Sequence, residues 1–265
     1  MKKTILVLFA IALVLGVTAC GGNESASGYL ILNKELLSQS YGIAFRSGDD
    51  ELCDAVSAAL AVLASDGTAD SLSKQFLGGS ELSIEADSHA LDKAKTQPKT
   101  LVVGLTADTP PMAYSDTKGE LTGFDVEMAA SVCALLGWTV KYRIMEYDAV
   151  IELESGNVDC LWGGFTITQS VSKKLTCTDP YLSYNQVLVT RADSGYKSFN
   201  SLKGKTLAIP PGSAAEELLS LEDLVTPKDA EIKEYDNSDA CFAALDTGEV
   251  QGVIIGSIAA QWYAG

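Results

Sequence analysis

Residues 101–127 read LVVGLTADTPPMAYSDTKGELTGFDVE, and their pattern indicates the class of fold. The apolar run Leu101–Leu105 predicts a buried strand, which leads into a loop rich in Thr and Pro. The pattern then alternates through helix Phe124–Leu136, strand Thr139–Ile144, helix Asp148–Glu154 and strand Val158–Trp162. Strands that alternate with helices are typical of a mainly parallel sheet in an α/β fold.

A second, smaller α/β unit follows the long extended run Tyr184–Arg191. Its predicted elements are strands Thr206–Ile209, Glu231–Tyr235 and Val250–Ile255 and helices Ala214–Leu221, Ser238–Thr247 and Ser257–Tyr263. The chain of 265 residues is long enough for two lobes of roughly 100 residues each. The sequence therefore predicts two α/β lobes.

The first twenty residues have the pattern of an export signal. Lys2 and Lys3 precede the apolar run Ile5–Val17, and small residues lead to Cys20. Such a pattern is typical of a bacterial lipoprotein signal, in which residues 1–19 are removed and Cys20 is acylated. An ordinary signal peptide is the alternative, and both predict a protein outside the cytoplasm.

Between this signal and the α/β alternation lie a polar tether at residues 20–27, a patterned segment at 28–79 and a weakly patterned linker at 80–98. The segment contains predicted strands Tyr29–Leu32 and Tyr41–Phe45, a helix from about Asp50 to Asp66, and a helix Thr68–Phe76. An acid, Asp49 or Asp50, is expected to cap the first of these helices.

Composition and charge exclude several classes of protein. Hydrophobic residues make up 47% of the chain and charged ones 20%, which is typical of a globular protein. The net charge of -16 argues against binding of nucleic acid or of anionic membranes by the folded body.

The cysteines that follow Cys20 stand at positions 53, 133, 160, 177 and 241. Their odd number and wide spacing favour core thiols over a disulfide framework or a metal site, although one bridged pair stays open. No metal or cofactor is predicted. The sole histidine, His89, lies in the predicted linker, so a His-based catalytic triad is excluded and no enzyme is predicted.

Several stretches, in order, resemble the bacterial extracellular solute-binding proteins of family 3, known as polar amino-acid binders of ABC transporters. The matching stretches are residues 103–112, 121–127 with G-F-D-V, 156–159, 164–168 with T-I-T, 178–181, 202–205 and 212–216. The resemblance implies an α/β, two-lobed periplasmic-binding-protein-like fold of type II. It also implies a monomer that binds a small polar, amino-acid-like solute and delivers it to an ABC permease, while Cys20 anchors it to the membrane.

The order of the segments departs from the family. Residues 41–46, 50–52 and 66–78 resemble the segment that normally ends such proteins, yet here they come first. We interpret this as a circular permutation, in which residues 28–79 complete lobe 1, residues 99–190 form its main part and residues 191–265 form lobe 2. A truncated tandem whose lobes are completed by another chain is the alternative.

The resemblance places ligand-binding residues on both walls of a cleft. These residues are Thr109, Met112, Tyr147, Gly164 and Thr166 on the first wall, Gly212, Ser213 and Ala214 on the second, and Asn185 near the hinge. Strand-end loops and helix N-termini carry free N–H groups that suit anionic ligand groups. As alternatives, Tyr147 is an ordinary surface tyrosine, and Thr166 and Ser213 are turn or capping hydroxyls.

Two positions lack the charges that the family uses for an amino acid. Val171 stands where the family has an arginine for the ligand carboxylate, and Gly256 stands where it has an aspartate for the ammonium. Because a zwitterion buried without partners is costly, we expect either another kind of ligand or a replacement of the arginine by Lys173. A degenerate relative, a sensor or a lyase-like enzyme of the same fold is the alternative function.

Overall fold

The computed structural model describes residues 28–32, 35–79, 82–94, 97–145, 149–210, 213–219 and 226–265. The strands are β1 Tyr29–Ile31, β2 Leu37–Tyr41, β3 Ala44–Phe45, β4 Thr100–Leu105, β5 Asp108–Thr109, β6 Ala113–Ser115, β7 Leu121–Thr122, β8 Thr139–Ile144, β9 Cys160–Leu161, β10 Thr176–Cys177, β11 Leu182–Arg191, β12 Thr206–Ile209, β13 Glu231–Glu234 and β14 Gly252–Gly256. The α-helices are α1 Asp50–Ser65, α2 Thr68–Phe76, α3 Phe124–Leu136, α4 Ala149–Glu154, α5 Gln169–Ser172, α6 Ala214–Leu219, α7 Ser238–Thr247 and α8 Ser257–Ala264. The predicted signal, tether and acylated Cys20 lie outside the described residues.

The first lobe is built on a sheet with the strand order β10-β3-β9-β4-β8. Strand β4 is parallel to both β8 and β9, whereas β3 lies antiparallel between β9 and β10. Helices α1, α2 and α3 pack against one another on this lobe, and their apolar faces belong to one core cluster. Strand β3, from the early part of the chain, is therefore an interior strand of a sheet whose other members come much later.

The second lobe is built on a sheet with the order β1-β11-β14-β12-β13, in which β2 also pairs with β11. Strands β12, β13 and β14 are parallel, and β11 is antiparallel to β14, β1 and β2. Strand β11 crosses between the lobes, since Leu182 and Tyr184 lie in the core of the first lobe and Val187 and Val189 in a core cluster of the second. Strands β1 and β2 follow β11 along this crossing.

The long helices agree with the predicted limits, because their apolar periodicity is local. Helices α3 and α7 begin and end at the predicted residues. The predicted strand Tyr41–Phe45 is instead divided into two strands at Gly42, whose N–H donates to the Phe165 carbonyl at 3.1 Å. A Cβ placed on Gly42 would lie 2.6 Å from the Ile167 side chain, so the strand changes partners here by passing close to another loop.

One further expectation, the acidic cap of α1, is corrected by the structure. Asp49 makes no capping hydrogen bond at the start of α1 and pairs instead with Arg46 at 2.9 Å. Within the predicted linker 80–98, most of the described residues are exposed, but Leu82 and Ile84 lie partly buried against the core of the first lobe, and a 3₁₀ turn forms at Ala90–Lys93. Because this segment contacts α1 and the core of the first lobe at only a few positions, its apolar residues show no helical or strand periodicity.

The cysteines of the described residues are free thiols, as predicted for core residues, and only Cys177 is partly exposed. Burial raises the pKa of Cys53 to about 11, so its reactive thiolate form is rare at neutral pH.

None of the described helices is alone long and apolar enough to cross a membrane, and α1 and α2 meet that criterion only as a pair bent by 82°.

Candidate ligand-binding cleft

The loop after β9 brings three of the predicted binding residues together. Gly164 has a φ of +67°, a left-handed conformation that favours glycine. A Cβ at this position would lie 3.3 Å from Met112 and 3.9 Å from Thr109. The Thr109 hydroxyl donates to the carbonyl of Ala113 at 3.1 Å and approaches that of Gly163 at 3.4 Å. Gly164 therefore packs on the Thr109 and Met112 turn, which leaves little space for a side chain at this position.

Thr166, the fourth predicted residue of this wall, is tied to the strands that cross between the lobes. Its hydroxyl lies 2.7 Å from the Tyr184 hydroxyl on β11, and its backbone forms a bridge with Tyr41 on β2. The rings of Tyr41 and Tyr184 stack with centroids 4.2 Å apart. Thr168, by contrast, caps α5 by accepting from the Val171 N–H. The Thr166 hydroxyl is thus part of a hydroxyl pair at the crossing and not a helix cap.

The residues predicted for the opposite wall are described only in part. Ser213 donates its hydroxyl to the Pro210 carbonyl at 2.6 Å, as a turn hydroxyl does, and α6 begins at Ala214. Asn185 donates its backbone N–H to the Ser257 hydroxyl at 3.2 Å, which joins β11 to the start of α8. Tyr147 and Gly212 lie outside the described residues.

Gly256, where the family has an acid, is closed off by an aromatic ring. Its φ of -61° is accessible to any residue, but a Cβ on it would lie 2.9 Å from the ring of Tyr184. Tyr184 thus takes the space into which a side chain at position 256 would extend. The crossing next to it is lined by uncharged polar groups: Gln186, the partner of Gly256 on β11, donates to the Gln39 side chain at 2.9 Å.

The other departure from the family, Val171, is packed into apolar surroundings. Its side chain lies against a core cluster that contains Leu153, Val158 and Leu161. Lys173 follows α5 and is exposed. Neither position places a positive charge among the packed residues of the first wall.

Asp125, the acid of the G-F-D-V stretch, is a functional candidate that its position in the sequence did not indicate. Its carboxylate is 0% exposed and accepts hydrogen bonds from the Gly164 N–H at 2.6 Å, the Tyr181 hydroxyl at 2.8 Å and the Trp162 indole at 3.2 Å. Burial raises the pKa of Asp125 from its ordinary value of 3.8 to about 7, against the lowering effect of these three donors. The acid inside the motif was visible in sequence, but its burial beneath the loop was not.

Helix α8 of the second lobe reaches the first. Ile258 is buried in the core cluster of the first lobe together with Tyr41 and Tyr184. Near the end of α8, the Trp262 ring lies 4.9 Å from that of Tyr114 on β6. The two lobes therefore touch through α8.

Two surface depressions, of about 280 and 400 Å³, lie around Arg191 on the second lobe. Arg191 pairs with Asp193 at 2.7 Å, and none of the predicted binding residues lines either depression. Within the described ranges, no group of three His, Cys, Asp or Glu side chains is arranged to hold a metal ion.

Comparison with known proteins gives a consistent result. The family model for bacterial extracellular solute-binding proteins, family 3, matches residues 101–249. The arginine-binding extracellular protein ArtP of Bacillus subtilis is 34% identical over 120 residues, 45% of this chain and 47% of that protein. The L-cystine-binding protein TcyJ of Escherichia coli K12 is 28% identical over 188 residues, 70% of this chain and 69% of that protein. The chain thus spans about half the length of the Bacillus relative.

Solved structures show the same likeness. A mutant of the arginine-binding protein ArgBP from T. maritima is 31% identical, with a TM-score of 0.55 over 62% of this chain and 71% of that one. The ancestral amino acid-binding protein AncCDT-1, described as a precursor of cyclohexadienyl dehydratase, is 30% identical, with a TM-score of 0.56 over 62% of this chain and 74% of that one. These neighbours are two-lobed α/β proteins of type II, which confirms the predicted fold class.

Proposed function

We infer, because this chain belongs to the bacterial extracellular solute-binding proteins of family 3, that it binds a small polar solute between its lobes and presents it to an ABC permease. One observation carries the proposal: Thr109, Met112 and Gly164 converge on one loop cluster, and Thr166 beside them is bonded to Tyr184 on the strand that crosses to the other lobe. Binding energy favours a closed state, because only there do both walls touch the ligand.

The ligand that fits this cleft is amino-acid-like but lacks the standard pair of charges. The relatives named above are described as binding arginine and cystine. In this chain Tyr184 fills the space at Gly256, and Val171 is packed among apolar side chains. A ligand ammonium would therefore lack its acid at position 256, and the exposed Lys173, two positions after Val171, is the cation that we propose to meet a carboxylate.

The solute is to be found by thermal-shift measurements over amino acids, amines, dicarboxylates, amides and short peptides, since a ligand raises the unfolding temperature of the state that it binds. We expect a stabilising compound among uncharged or singly charged compounds.

Replacement of Thr166 by Val should lower the affinity for that compound about tenfold, by loss of one hydrogen bond. The matched control is Thr247→Val, which removes a hydroxyl bonded within α7 of the second lobe. Absence of any stabilising compound would count against solute binding.

The same screen decides the role of Lys173. If Lys173 replaces the arginine of the family, Lys173→Ala should abolish binding of a carboxylate-bearing hit, while its neighbour Lys174→Ala should not. Equal affinities of the wild type and Lys173→Ala would exclude that replacement.

We also propose that the chain is circularly permuted. Strand β3 lies inside the sheet of the first lobe, and helices α1 and α2 complete its core, although residues 28–79 precede the family match at 101–249. In this arrangement the lobe changes within β2, because Leu36 packs with the second lobe and Tyr41 with the first. Residues 99–190 then form the main part of lobe 1, and residues 191–265 that of lobe 2.

A rearranged gene tests the permutation. Residues 28–79 are moved behind residue 265 through a short Gly-Ser linker, which restores the order of the family. Helix α8 packs on β1, so a short linker can join them. We expect a monomer with the same circular dichroism spectrum and an equal or higher unfolding temperature. A rearranged chain that fails to fold, or a native chain that is dimeric in solution, would favour completion of the lobes by another molecule.

The first twenty residues support export and acylation at Cys20, with the mature protein held on the outer face of the membrane. In cells fed labelled palmitate, the wild type should carry label and sediment with membranes, whereas Cys20→Ser should be unlabelled. Label on the Cys20→Ser variant would contradict acylation at this residue.

A second function, a non-transport relative, is favoured by the two missing charges and by the neighbour that is described as a precursor of a dehydratase. It covers a degenerate protein without ligand, a sensor and a lyase-like enzyme. Conversion of the hit compound during incubation, followed by mass spectrometry, would indicate the enzyme. Stable binding without conversion would exclude the lyase-like enzyme and the degenerate protein, and it would leave transport or sensing.

A further inference from the structure

A buried carboxylate lies beneath the predicted ligand loop, outside the set of residues proposed to touch the ligand. Asp125 is the second residue of α3, and its Oδ2 accepts from the Gly164 N–H at 2.6 Å and the Tyr181 hydroxyl at 2.8 Å. Its Oδ1 accepts from the Trp162 indole N–H at 3.2 Å. One side chain therefore gathers three donors from distant parts of the chain.

The three donors belong to the segments that form the first wall of the cleft and its crossing strand. Trp162 and Gly164 flank Gly163, so both bonds hold the loop that packs on Thr109 and Met112. Tyr181 immediately precedes β11, the strand that carries Tyr184 across to the other lobe. The carboxylate thus fastens the loop and the start of the crossing strand to the first turn of α3.

We propose that Asp125 is a positioning residue, whose carboxylate holds the loop Gly163–Thr166 and the start of β11 in their binding arrangement only while it is ionised. Its hold on the loop is argued from these three hydrogen bonds. Its effect on ligand affinity rests on the proposed function.

The chemistry of the donors explains why the charge matters. An ionised carboxylate accepts all three hydrogen bonds, and bonds to a charged acceptor are roughly twice as strong as neutral ones. A protonated carboxyl group has a hydrogen to donate, and of its three partners only the Tyr181 hydroxyl can accept it. Protonation therefore weakens the bond to Gly164 and turns the Tyr181 hydroxyl.

Burial disfavours the ionised form of Asp125, so its protonation takes place near neutral pH. The groups that face Asp125 are the hydroxyls of Tyr181 and Tyr41, the Trp162 indole and the Gly164 N–H. Throughout the described ranges, no lysine or arginine forms a hydrogen bond or ion pair with it. With the pKa raised to about 7, acidification below neutrality should loosen the loop.

The test is a pH titration of the ¹⁵N-labelled mature chain from pH 5 to 8.5, followed by NMR at the Gly164 amide and the Trp162 indole. In the wild type both signals should shift together, with a midpoint near 7. Asp125→Asn should abolish the shift. The matched control is Asp116→Asn, an exposed acid that accepts the N–H groups of Lys118 and Glu120, and it should leave the shift unchanged.

A flat titration in the wild type, or a midpoint near 7 that survives in Asp125→Asn, would overturn the proposal. If Asp125→Asn does not fold, Tyr181→Phe replaces it: loss of one donor to the ionised form should raise the midpoint, and an unchanged midpoint speaks against the role.

Ligand binding separates this inference from the proposed function. For a hit from the thermal-shift screen that does not itself titrate, affinity should fall several-fold between pH 8 and pH 6 in the wild type and stay level in Asp125→Asn. A titrating loop with pH-independent affinity would leave Asp125 a loop anchor without a role in binding. If no compound binds, the transport function fails while the NMR titration still decides whether Asp125 holds the loop.

Discussion

At the residue scale, Asp125 makes stability and loop order respond to pH in opposite directions. Its folded pKa of about 7 lies above the ordinary value of 3.8, so between these pH values the folded form keeps a proton that the unfolded form has released. The free energy of unfolding should therefore fall as pH rises through this window, by up to about 1.4 kcal/mol per pH unit. Urea denaturation at pH 5, 6, 7 and 8 should show this slope in the wild type and a flatter one in Asp125→Asn. Parallel slopes would mean that other groups control the pH dependence.

Gly256 gives a second residue-level prediction, on packing at the crossing. A Cβ at this position would lie 2.9 Å from the Tyr184 ring, which is held by its stacking on Tyr41 and by the Thr166 hydroxyl. Because the backbone at Gly256 has an ordinary φ, the cost of Gly256→Ala is one of overpacking, about 1–3 kcal/mol. Denaturation of a double-mutant cycle checks it, since the cost should vanish in a Tyr184→Ala background. An unchanged cost in that background would place the strain elsewhere.

The sequence indicated which positions depart from the pattern of the family, but not which side chains occupy the space of the missing charged groups. Val171 and Gly256 stand out against the pattern of the family by position alone. That Tyr184 occupies the space beside Gly256 depends on contacts between residues 70 and 72 positions apart, since Gln186 pairs with Gly256 and Asn185 bonds to Ser257. Such contacts between strands leave no mark in local periodicity.

At the scale of elements, β1 joins the early segment to the second lobe without a covalent link to that lobe's main body. Tyr29 packs edge-on against Phe242 of α7 with centroids 5.0 Å apart, and its hydroxyl donates to Asp246 at 2.7 Å. Tyr29→Ala should lower the free energy of unfolding by about 1–3 kcal/mol, less than the loss of a fully buried aromatic residue. Hydrogen exchange should show faster opening of β1 and β11 in this variant.

The control for this prediction is Tyr29→Phe, which keeps the ring and loses only the bond to Asp246, at a cost of about 1 kcal/mol or less. Equal losses for Tyr29→Ala and Tyr29→Phe would mean that the hydroxyl, and not the ring, holds β1 in place.

At this scale, the limits of an element could be predicted from sequence where they depend on neighbouring residues, and not where they depend on contacts with distant parts of the chain. Helices α3 and α7 were predicted to the residue because their apolar spacing and their glycine C-caps are local. The division between β2 and β3 was not, since it depends on the approach of Gly42 to Ile167. The contacts that Leu82 and Ile84 in the predicted linker make with the core of the first lobe were not predicted for the same reason.

At the scale of the whole molecule, the arrangement of the lobes is followed most directly through Trp262. It is 42% exposed, whereas Trp138 and Trp162 are buried in the first lobe, and it touches Tyr114 across the lobe boundary. Acrylamide should therefore quench mainly Trp262. Because the chain passes only once, through β11, between the proposed main bodies of the lobes at residues 99–190 and 191–265, we expect the ligand-free protein to open readily and its quenching to exceed that of the liganded form.

A compound that stabilises the protein in the thermal screen should protect Trp262 from quenching, because closure holds α8 against β6. The protection should disappear in Trp262→Phe, while Trp138→Phe should retain it. Quenching that is low without ligand and unchanged on binding would mean that the lobes are already closed. In that case α8 keeps the two lobes closed, because its Ile258 is buried in the core of the first lobe. The ligand would then have to enter without the lobe motion on which the proposed delivery to a permease depends.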